Sequence, residues 1–144
     1  MTTRGTQDTA VELLLAEPER LEAGLVALDS RLKLDDQVEI DVLLRDSLGY
    51  PVIVLFCDGE VALELARMAG AAEALQRGRY LLTRLYQNKG LDPSLRPRFV
   101  LLGARFPDSA PRVLDMMSQV EVQAIEYRVV KSSVGRPVLD LTTF

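Results

Sequence analysis

The stretch that decides the fold is Val38 to Cys57, VEIDVLLRDSLGYPVIVLFC. In its first part apolar residues alternate with acidic ones, which is typical of a β-strand with one buried face. In its last part the run Val52 to Phe56 is apolar and rich in β-branched residues, which also favours a strand. Between the two lies Asp46 to Gly49, DSLG, whose residue types favour a tight turn. The sequence therefore predicts a β-hairpin at the centre of a sheet.

The hairpin also carries a recognisable motif, an aspartate late in the first strand, a D-x-x-G turn and an apolar second strand. This combination resembles the core of the PD-(D/E)xK nuclease superfamily, in particular its NucS-like members, whose pattern is approximately I-D-h-h-x-x-D-x-x-G-x-h-h-h-h-E-h-K with h hydrophobic. Aligned without a gap, the matching positions are Ile40, Asp41, Asp46, Gly49 and Val52 to Val54. The Glu and the Lys of the pattern fall on Leu55 and Cys57.

The resemblance implies a restriction-endonuclease-like core and a Mg²⁺-dependent nuclease site. In the family, the aspartate and the Glu hold Mg²⁺ through carboxylate oxygens, and the Lys positions water and stabilises the charge that develops on the phosphate. Leu55 offers no oxygen ligand, and the Cys57 thiol suits neither Mg²⁺ nor that electrostatic role. Because Asp41 alone is left of the usual group, we predict a catalytically inactive domain.

Composition limits the classes of function further. The 144 residues include 17 Lys and Arg against 21 Asp and Glu, which gives a net charge of −4. This length suits one domain with a single core. Since an acidic chain as a whole repels a polyanion, nucleic-acid binding is disfavoured and would need a local basic patch.

The chain contains no histidine and a single cysteine, Cys57. These counts exclude Ser-His and Cys-His dyads, imidazole metal ligands, and a disulfide or zinc site within one chain. The first residues, MTTRGTQDTA, lack the apolar centre of a signal peptide, and no run of about 18 apolar residues occurs. We therefore expect a reduced, cytoplasmic setting away from membranes, and no cofactor.

The rest of the chain predicts helices around this sheet. Helices are expected from Asp8 onward, over Pro18 to Ala23, over Glu60 to Asn88 with a kink or break at Gly70, and over Pro107 to Met117. Strands are expected over Leu25 to Lys33, Val38 to Asp46, Pro51 to Cys57, Arg96 to Gly103 and Val120 to Val130. Three successive strands favour an antiparallel meander, and a helix between the last two favours a parallel crossover.

The predicted fold class is therefore α/β, a central mixed sheet flanked by helices. We expect a single domain over 1–144, with a flexible tail at 1–7 and an edge strand or interaction tail at 136–144. Apolar residues near the C-terminus also suggest a homodimer, because they would otherwise be exposed. These residues are Val138, Leu139, Leu141 and Phe144.

Four acidic residues are candidates for a cation site. Asp41 is the candidate metal ligand, and the alternative is a strand residue that faces solvent or bonds to a neighbour. Asp58 and Glu60, just beyond the second strand, could replace the missing Glu. Glu22 lies where family members often place a helix carboxylate, although a solvated or capping role is also open. An active site would combine Asp41 with one of these three and Mg²⁺.

A second group of candidates lies in the segment ALQRGRYLLTRLY, which resembles the Q-x-x-R-Y helix of these nucleases. Gln76, Arg79 and Tyr80 occupy the matching positions, and Arg84 extends the group into a surface for nucleic acid or another partner. The alternative is an ordinary helix face, with Tyr80 packed on the sheet and Arg79 paired with an acid. Cys57 is expected to be an inert buried residue.

Two hypotheses follow from these residues. The first is a catalytically inactive nuclease-like domain that acts as a binding, scaffold or regulatory module, with a protein partner or a second copy of itself. The second is an active Mg²⁺-dependent DNA endonuclease with a relocated acidic ligand. The binding of a divalent metal separates the two.

Overall fold

A mixed β-sheet forms the centre of the molecule. The computed structural model describes residues 3–57, 61–116 and 120–143, and only the backbone of residues 3, 4 and 62. Its helices are α1 (Thr3–Ala16), α2 (Val61–Arg77), α3 (Arg79–Leu85) and α4 (Ala110–Asp115), with a 3₁₀ turn at Pro18–Arg20. Its strands are β1 (Val26–Lys33), β2 (Glu39–Arg45), β3 (Pro51–Phe56), β4 (Arg98–Gly103), β5 (Val122–Lys131) and β6 (Pro137–Thr143). No helix in these ranges is long and apolar enough to cross a membrane.

The strands lie side by side in chain order, from β1 to β6. The first three form an antiparallel meander, with Val42 beside Val54 and Leu44 beside Val52. Strands β3, β4 and β5 are parallel, and β6 returns antiparallel to β5. Parallel neighbours need a crossover, which α2 and α3 provide between β3 and β4, and α4 provides between β4 and β5. The predicted fold class, a mixed sheet flanked by helices, is confirmed.

Strand β3 is buried at every position, because helices cover both faces of the sheet. Successive residues of a strand point to opposite faces. Residues Val52, Val54 and Phe56 share a core cluster with Ala10, Val11 and Leu14 of α1. Residues Ile53, Leu55 and Cys57 share the other cluster with Met68, Ala71 and Leu75 of α2. The unbroken apolar run in the sequence thus reflects a strand between two cores.

The predicted hairpin turn forms between β2 and β3, and Asp46 organises it. One oxygen of the Asp46 carboxylate accepts hydrogen bonds from the backbone N–H of Leu48, at 2.9 Å, and of Tyr50, at 3.0 Å. Gly49 adopts a φ of +94°, in the left-handed region that glycine occupies without strain. The D-x-x-G motif therefore has a structural explanation in the turn itself.

The long helical segment is broken at Gly78 instead of Gly70. Gly70 lies inside α2, whereas Gly78 separates α2 from α3. The change of direction brings Leu82 and Tyr86 inward, where both are buried. The Tyr86 hydroxyl donates a hydrogen bond to Asp29 on β1, at 2.8 Å. Packing against the sheet therefore decides where the helix breaks.

Both ends of the chain differ in detail from the sequence-based expectation. Helix α1 begins at Thr3, so that the segment expected as a tail at 1–7 is helical from residue 3, and residues 1 and 2 lie outside the described ranges. The helix expected over Pro18 to Ala23 is only a single 3₁₀ turn. At the other end, β6 pairs with β5 as an edge strand and buries Leu139. The described C-terminal apolar residues thus lie in a strand of the sheet.

Because the sheet has a core on each face, we expect alanine substitutions of Leu43 and Leu48 to lower the free energy of unfolding by very different amounts. Leu43 is completely buried on β2, whereas Leu48 is 78% exposed in the turn. We expect Leu43→Ala to lower the free energy of unfolding by about 2–5 kcal/mol, because it leaves a cavity in the core. The matched Leu48→Ala change should cost less than about 0.5 kcal/mol. Urea unfolding of both variants measures the difference, and equal losses would contradict this packing.

Candidate functional site

Asp41 lies on β2 and faces the side of the sheet that α2 covers. Its carboxylate oxygen Oδ2 accepts a hydrogen bond from the backbone N–H of Phe56, at 2.8 Å. The paired register of β2 and β3 ends at Val42 and Val54, which are the chain neighbours of Asp41 and Leu55. Asp41 is therefore held at the C-terminal end of β3, beside the position where the family pattern has its Glu.

A guanidinium group occupies the space beside Asp41. Arg67 of α2 places Nη2 3.2 Å from Oδ2 of Asp41 and Nη1 2.9 Å from Oε2 of Glu64. The same Nη1 donates to the backbone carbonyl oxygen of Phe56, at 3.1 Å. We call Asp41, Glu64, Arg67 and the Phe56 carbonyl the Arg67 site. It joins β2, β3 and α2 through a cation that belongs to the chain.

The position of Glu64 follows from the amphipathic pattern of α2. Met68, Ala71 and Leu75 are core residues four, seven and eleven positions after Glu64, so all four share one face of the helix. Glu64 is consequently buried, with 8% of its surface exposed. A buried carboxylate needs a partner, and Arg67 lies one turn further along the same side.

The electrostatics of the site keep Arg67 charged. Burial by itself lowers the pKa of a guanidinium, but the carboxylates of Asp41 and Glu64 outweigh that effect and raise the pKa of Arg67 above its usual value. Two carboxylates face one guanidinium, which leaves the site with an excess of negative charge. The Arg67 side chain is 38% exposed, so the site borders solvent.

The two positions that depart from the family pattern are both in the core. Leu55 is completely buried and Cys57 is 4% exposed, in the same cluster as Leu43 and Ile53. The backbone N–H of Cys57 donates to the carbonyl of Leu102 on β4, at 2.8 Å. Cys57 is thus buried as expected, and neither side chain reaches the surface.

The structure separates the acidic candidates. Asp58 and Glu60 lie outside the described residues. Glu22 forms its ion pair with Arg98, away from Asp41. Glu64, which shares Arg67 with Asp41, was not among the candidates. Its sequence signal is a charged residue on the apolar face of a helix, with an arginine three positions later.

Arg98 is the centre of a second cluster of charges. Its guanidinium contacts the carboxylates of Glu22 at 2.6 Å, Asp46 at 3.1 Å and Glu121 at 2.6 Å. The hydrogen bond from Arg98 lowers the pKa of Glu22. Burial favours a higher pKa for Asp46, but hydrogen bonds from the Tyr50 and Leu48 backbone and from Arg98 lower it overall. This cluster fastens the turn and the chain before β1 to the start of β4.

The two arginine clusters lie at opposite ends of the parallel strands. Arg98 is beside Val52 at the start of β3, whereas the Arg67 site contacts Phe56 at its end. Four residues of a strand span roughly 13 Å. Glu22 therefore cannot join Asp41 around one cation in this structure.

The candidate binding residues of the second group lie in solvent. Gln76 is at the end of α2, and Arg79, Tyr80 and Arg84 are on α3, all of them exposed. Tyr80 is 79% exposed, and the Arg79 guanidinium lies 5.9 Å from the centre of its ring. No hydrogen bond or ion pair found among the described residues connects this group to the Arg67 site.

In the described parts of the chain, no three acidic, cysteine or histidine side chains converge closely enough to hold a metal ion. Of the residues that the structure describes, Asp41 and Glu64 bring two carboxylates to the Arg67 site, and the backbone carbonyl of Phe56 is a third oxygen. All three are hydrogen-bonded to the guanidinium of Arg67.

Comparisons with known proteins give a limited result. No protein-family model matches the chain, and no curated protein matches it. Solved structures that are similar include a complex of EndoMS with double-stranded DNA, at 21% identity and a TM-score of 0.49 over 88% of this chain and 46% of that one. A repair endonuclease from Pyrococcus abyssi is similar at 15% identity and a TM-score of 0.49, over 84% of this chain and 47% of that one.

EndoMS in its apo form is similar at 20% identity and a TM-score of 0.44, over 84% of this chain and 46% of that chain. The chain therefore spans about half the length of these proteins.

The Arg98 cluster predicts that stability depends on pH. Because the folded-state pKa values of Glu22 and Asp46 are lowered, their contribution is complete above about pH 4.5 and is lost as the pH falls through the folded-state values. Arg98→Met should cost about 2 kcal/mol at pH 7, and the difference from wild type should shrink on acidification.

Urea unfolding at a series of pH values tests this expectation. The control is Arg128→Met, which removes the exposed pair with Asp140 and should cost no more than about 1 kcal/mol. A loss in Arg98→Met that is the same at pH 3 and pH 7 would show that the charges of this cluster do not stabilise the fold.

Proposed function

We propose that this chain is a nuclease-like domain without cation-dependent catalysis, and that it acts as a binding, scaffold or regulatory module. The observation that carries the proposal is the Arg67 guanidinium, hydrogen-bonded to Asp41, Glu64 and the Phe56 carbonyl. In the nucleases that the hairpin resembles, an aspartate at the position of Asp41 is a ligand of Mg²⁺.

Arg67 cannot replace the chemistry of Mg²⁺. A catalytic metal keeps open coordination positions, where it lowers the pKa of water and polarises the phosphate. A guanidinium stays protonated and has no coordination position to offer. The carboxylates that meet Arg67 are engaged with it at 2.9 and 3.2 Å. Arg67 therefore supplies charge balance at this place, but no activated water.

The loss of the family lysine supports the same proposal. In the resemblance this residue lies on Cys57, which is buried in the core beneath α2. A phosphate bound outside the sheet would have to displace core residues to reach the sulfur atom. A thiol also has no cationic form, so it cannot supply the positive charge with which a lysine stabilises a phosphoryl transition state.

The exposed surface of α3 is where we propose that a partner binds. It presents the large side chains of Tyr80, Leu81 and Leu85, which are 79%, 63% and 55% exposed. Exposed apolar side chains in a contiguous group are typical of interaction surfaces. Arg79 and Arg84 add positive charge in a chain of net charge −4. Because the large side chains of this surface are mainly apolar, a protein partner or a second copy of the chain fits it better than nucleic acid does.

The α3 surface predicts that function and stability can be separated. The double change Tyr80→Ala and Leu81→Ala should alter the free energy of unfolding by less than about 0.5 kcal/mol, because both side chains lie in solvent. Sedimentation velocity of wild type and variant tests for self-association through this surface. A large loss of stability would show instead that α3 uses these residues for folding.

The absence of catalysis is tested directly with purified protein. We expect no cleavage of branched, mismatched or single-stranded DNA above the protein-free background, with or without millimolar Mg²⁺ or Mn²⁺. The Asp41→Ala variant should give the same result as wild type. Metal-stimulated cleavage by wild type that disappears in Asp41→Ala would overturn the proposal in favour of an active endonuclease.

A further inference from the structure

The two edge strands of the sheet, β1 and β6, differ in how they are protected. The pairing of β1 with β2 shifts register between Ala27 and Asp29, and Arg31 adopts a φ of +51°. Three of the eight residues of β1 are charged, namely Asp29, Arg31 and Lys33. An irregular backbone and charged side chains keep an edge strand from pairing with another chain. The edge at β1 is therefore protected.

The edge at β6 is regular and carries little charge. All seven residues of Pro137–Thr143 pair with β5 in unbroken register. The one charged residue of the strand is Asp140, which accepts a hydrogen bond from Arg128 of β5 at 2.7 Å. No strand in the described parts of the chain pairs with the outer side of β6. Such an edge is a template for the addition of another strand.

The hairpin between β5 and β6 shows which backbone groups point to the outer side. The N–H of Ser132 donates to the carbonyl oxygen of Arg136, at 2.8 Å. In an antiparallel pair such bonds recur at every second residue, so the residues between them direct their N–H and C=O groups outward. On β6 these outward residues are Leu139, Leu141 and Thr143. Pro137 lies on the same side, where its missing N–H removes no bond from the sheet.

A second copy of β6 has the chemistry that this edge needs. When two copies pair antiparallel about a two-fold axis at Leu141, the two Leu141 residues lie side by side. Leu139 of each copy then lies beside Thr143 of the other, so every outward residue belongs to a hydrogen-bonded pair. Asp140 faces Thr142 of the second copy in this register. The two negative charges of the strands therefore do not meet, and like charges directly opposite each other would be unfavourable.

The apolar face of the strand supports the same partner. Leu141 is only partly buried, at the margin of the core cluster that contains Leu139 and the α1 residues Val11 and Leu14. A two-fold axis perpendicular to the sheet keeps both copies of α1 on one face, so each Leu141 covers the other. Pairing thus removes apolar surface from water at the point where the two cores meet.

The second edge of the sheet also favours a second copy over an unrelated strand. The sheets of two copies joined through β6 end at β1 on both sides, and β1 is the edge that is already protected. A single added strand from another protein would instead present a new outer edge. Closed two-fold pairing leaves no such edge.

We propose that β6 is a self-association edge, at which two copies of this chain join their sheets antiparallel about Leu141. The inference goes beyond the proposed function, because it uses a surface separate from α3. Tyr86, directly after α3, bonds to Asp29 on β1, at the opposite edge of the sheet. A dimer through β6 therefore leaves the α3 surface of both copies open to another protein.

Sedimentation velocity of the full chain tests this edge with two substitutions at one position. Thr143→Pro removes an outward N–H and breaks no hydrogen bond to β5, whereas Thr143→Ala removes the same exposed side chain and keeps the N–H. We expect wild type and Thr143→Ala to be dimeric at about 100 µM, since a short paired strand gives a small interface. For Thr143→Pro we expect a dissociation constant at least about tenfold higher.

Cysteine cross-linking tests the register of the two strands. Residues in a hydrogen-bonded antiparallel pair have Cα atoms about 5.5 Å apart, which is within the range of a disulfide. We expect Leu141→Cys to form a covalent dimer with oxidised glutathione. The control is Val134→Cys in the 77% exposed turn of the same hairpin, whose two copies would lie more than roughly 40 Å apart. The native Cys57 is 4% exposed and is present in both variants.

The outcomes separate this inference from the proposed function. Wild type that is monomeric at the same concentration overturns the inference, and leaves the edge to an extended segment of another protein. Equal cross-linking of Leu141→Cys and Val134→Cys overturns the register about Leu141. A dimer that persists in Thr143→Pro but is lost in the double variant Tyr80→Ala with Leu81→Ala also overturns the inference, and assigns self-association to α3 as the proposed function allows.

Discussion

The burial of β3 on both faces is the constraint on which the rest of the structure depends. Each residue from Val52 to Phe56 lies in one of the two cores, so polar chemistry is confined to the ends of the strand. At the N-terminal end this chemistry is the Arg98 cluster, and at the C-terminal end it is the Arg67 site. A carboxylate at Leu55 would be desolvated beneath α2, and only a cation beside it could compensate for that cost. With leucine there, the remaining carboxylates are supplied from β2 and from the helix.

In both clusters, one arginine compensates the charge of several carboxylates. In each, one arginine joins a carboxylate from a segment that is distant in sequence, as Arg98 does with Glu22 over 76 positions and Arg67 does with Asp41 over 26. Arginine suits this task because its planar fork donates to several oxygens at once and it remains charged when partly buried. Both clusters carry more negative than positive charge, in keeping with the net charge of −4. Removing the arginine from such a cluster is costly because the partly buried carboxylates lose their partner, and this cost is larger than the net gain that the cluster gives over an apolar arrangement.

The sheet could be predicted from the sequence, whereas the charged sites could not. The alternation of apolar and polar residues and the apolar runs are local features of the sequence. The strands that they predict agree with the described strands to within two residues at each end. Phe144, the last residue of the segment expected to form β6, lies outside the described residues. The break of the long helix depends on how Leu82 and Tyr86 meet β1, and Gly70 and Gly78 look equally suitable in sequence alone. The dependence on packing also explains why the sequence does not identify Glu64 as a candidate. Which turn of a helix faces the end of a strand is decided by packing, so the sequence alone does not show that the turn with Glu64 faces Asp41.

A guanidinium and a metal ion differ in how they hold carboxylates together. A metal ion exchanges with solvent, leaves at low concentration and keeps positions open for water or phosphate. Arg67 does none of these, because it is covalently part of α2 and its pKa is raised by the carboxylates around it. The junction of β2, β3 and α2 is thus held together whether or not divalent cations are present. In the proposed function this junction is a rigid frame, and the exposed residues of α3 are the surface at which a partner binds.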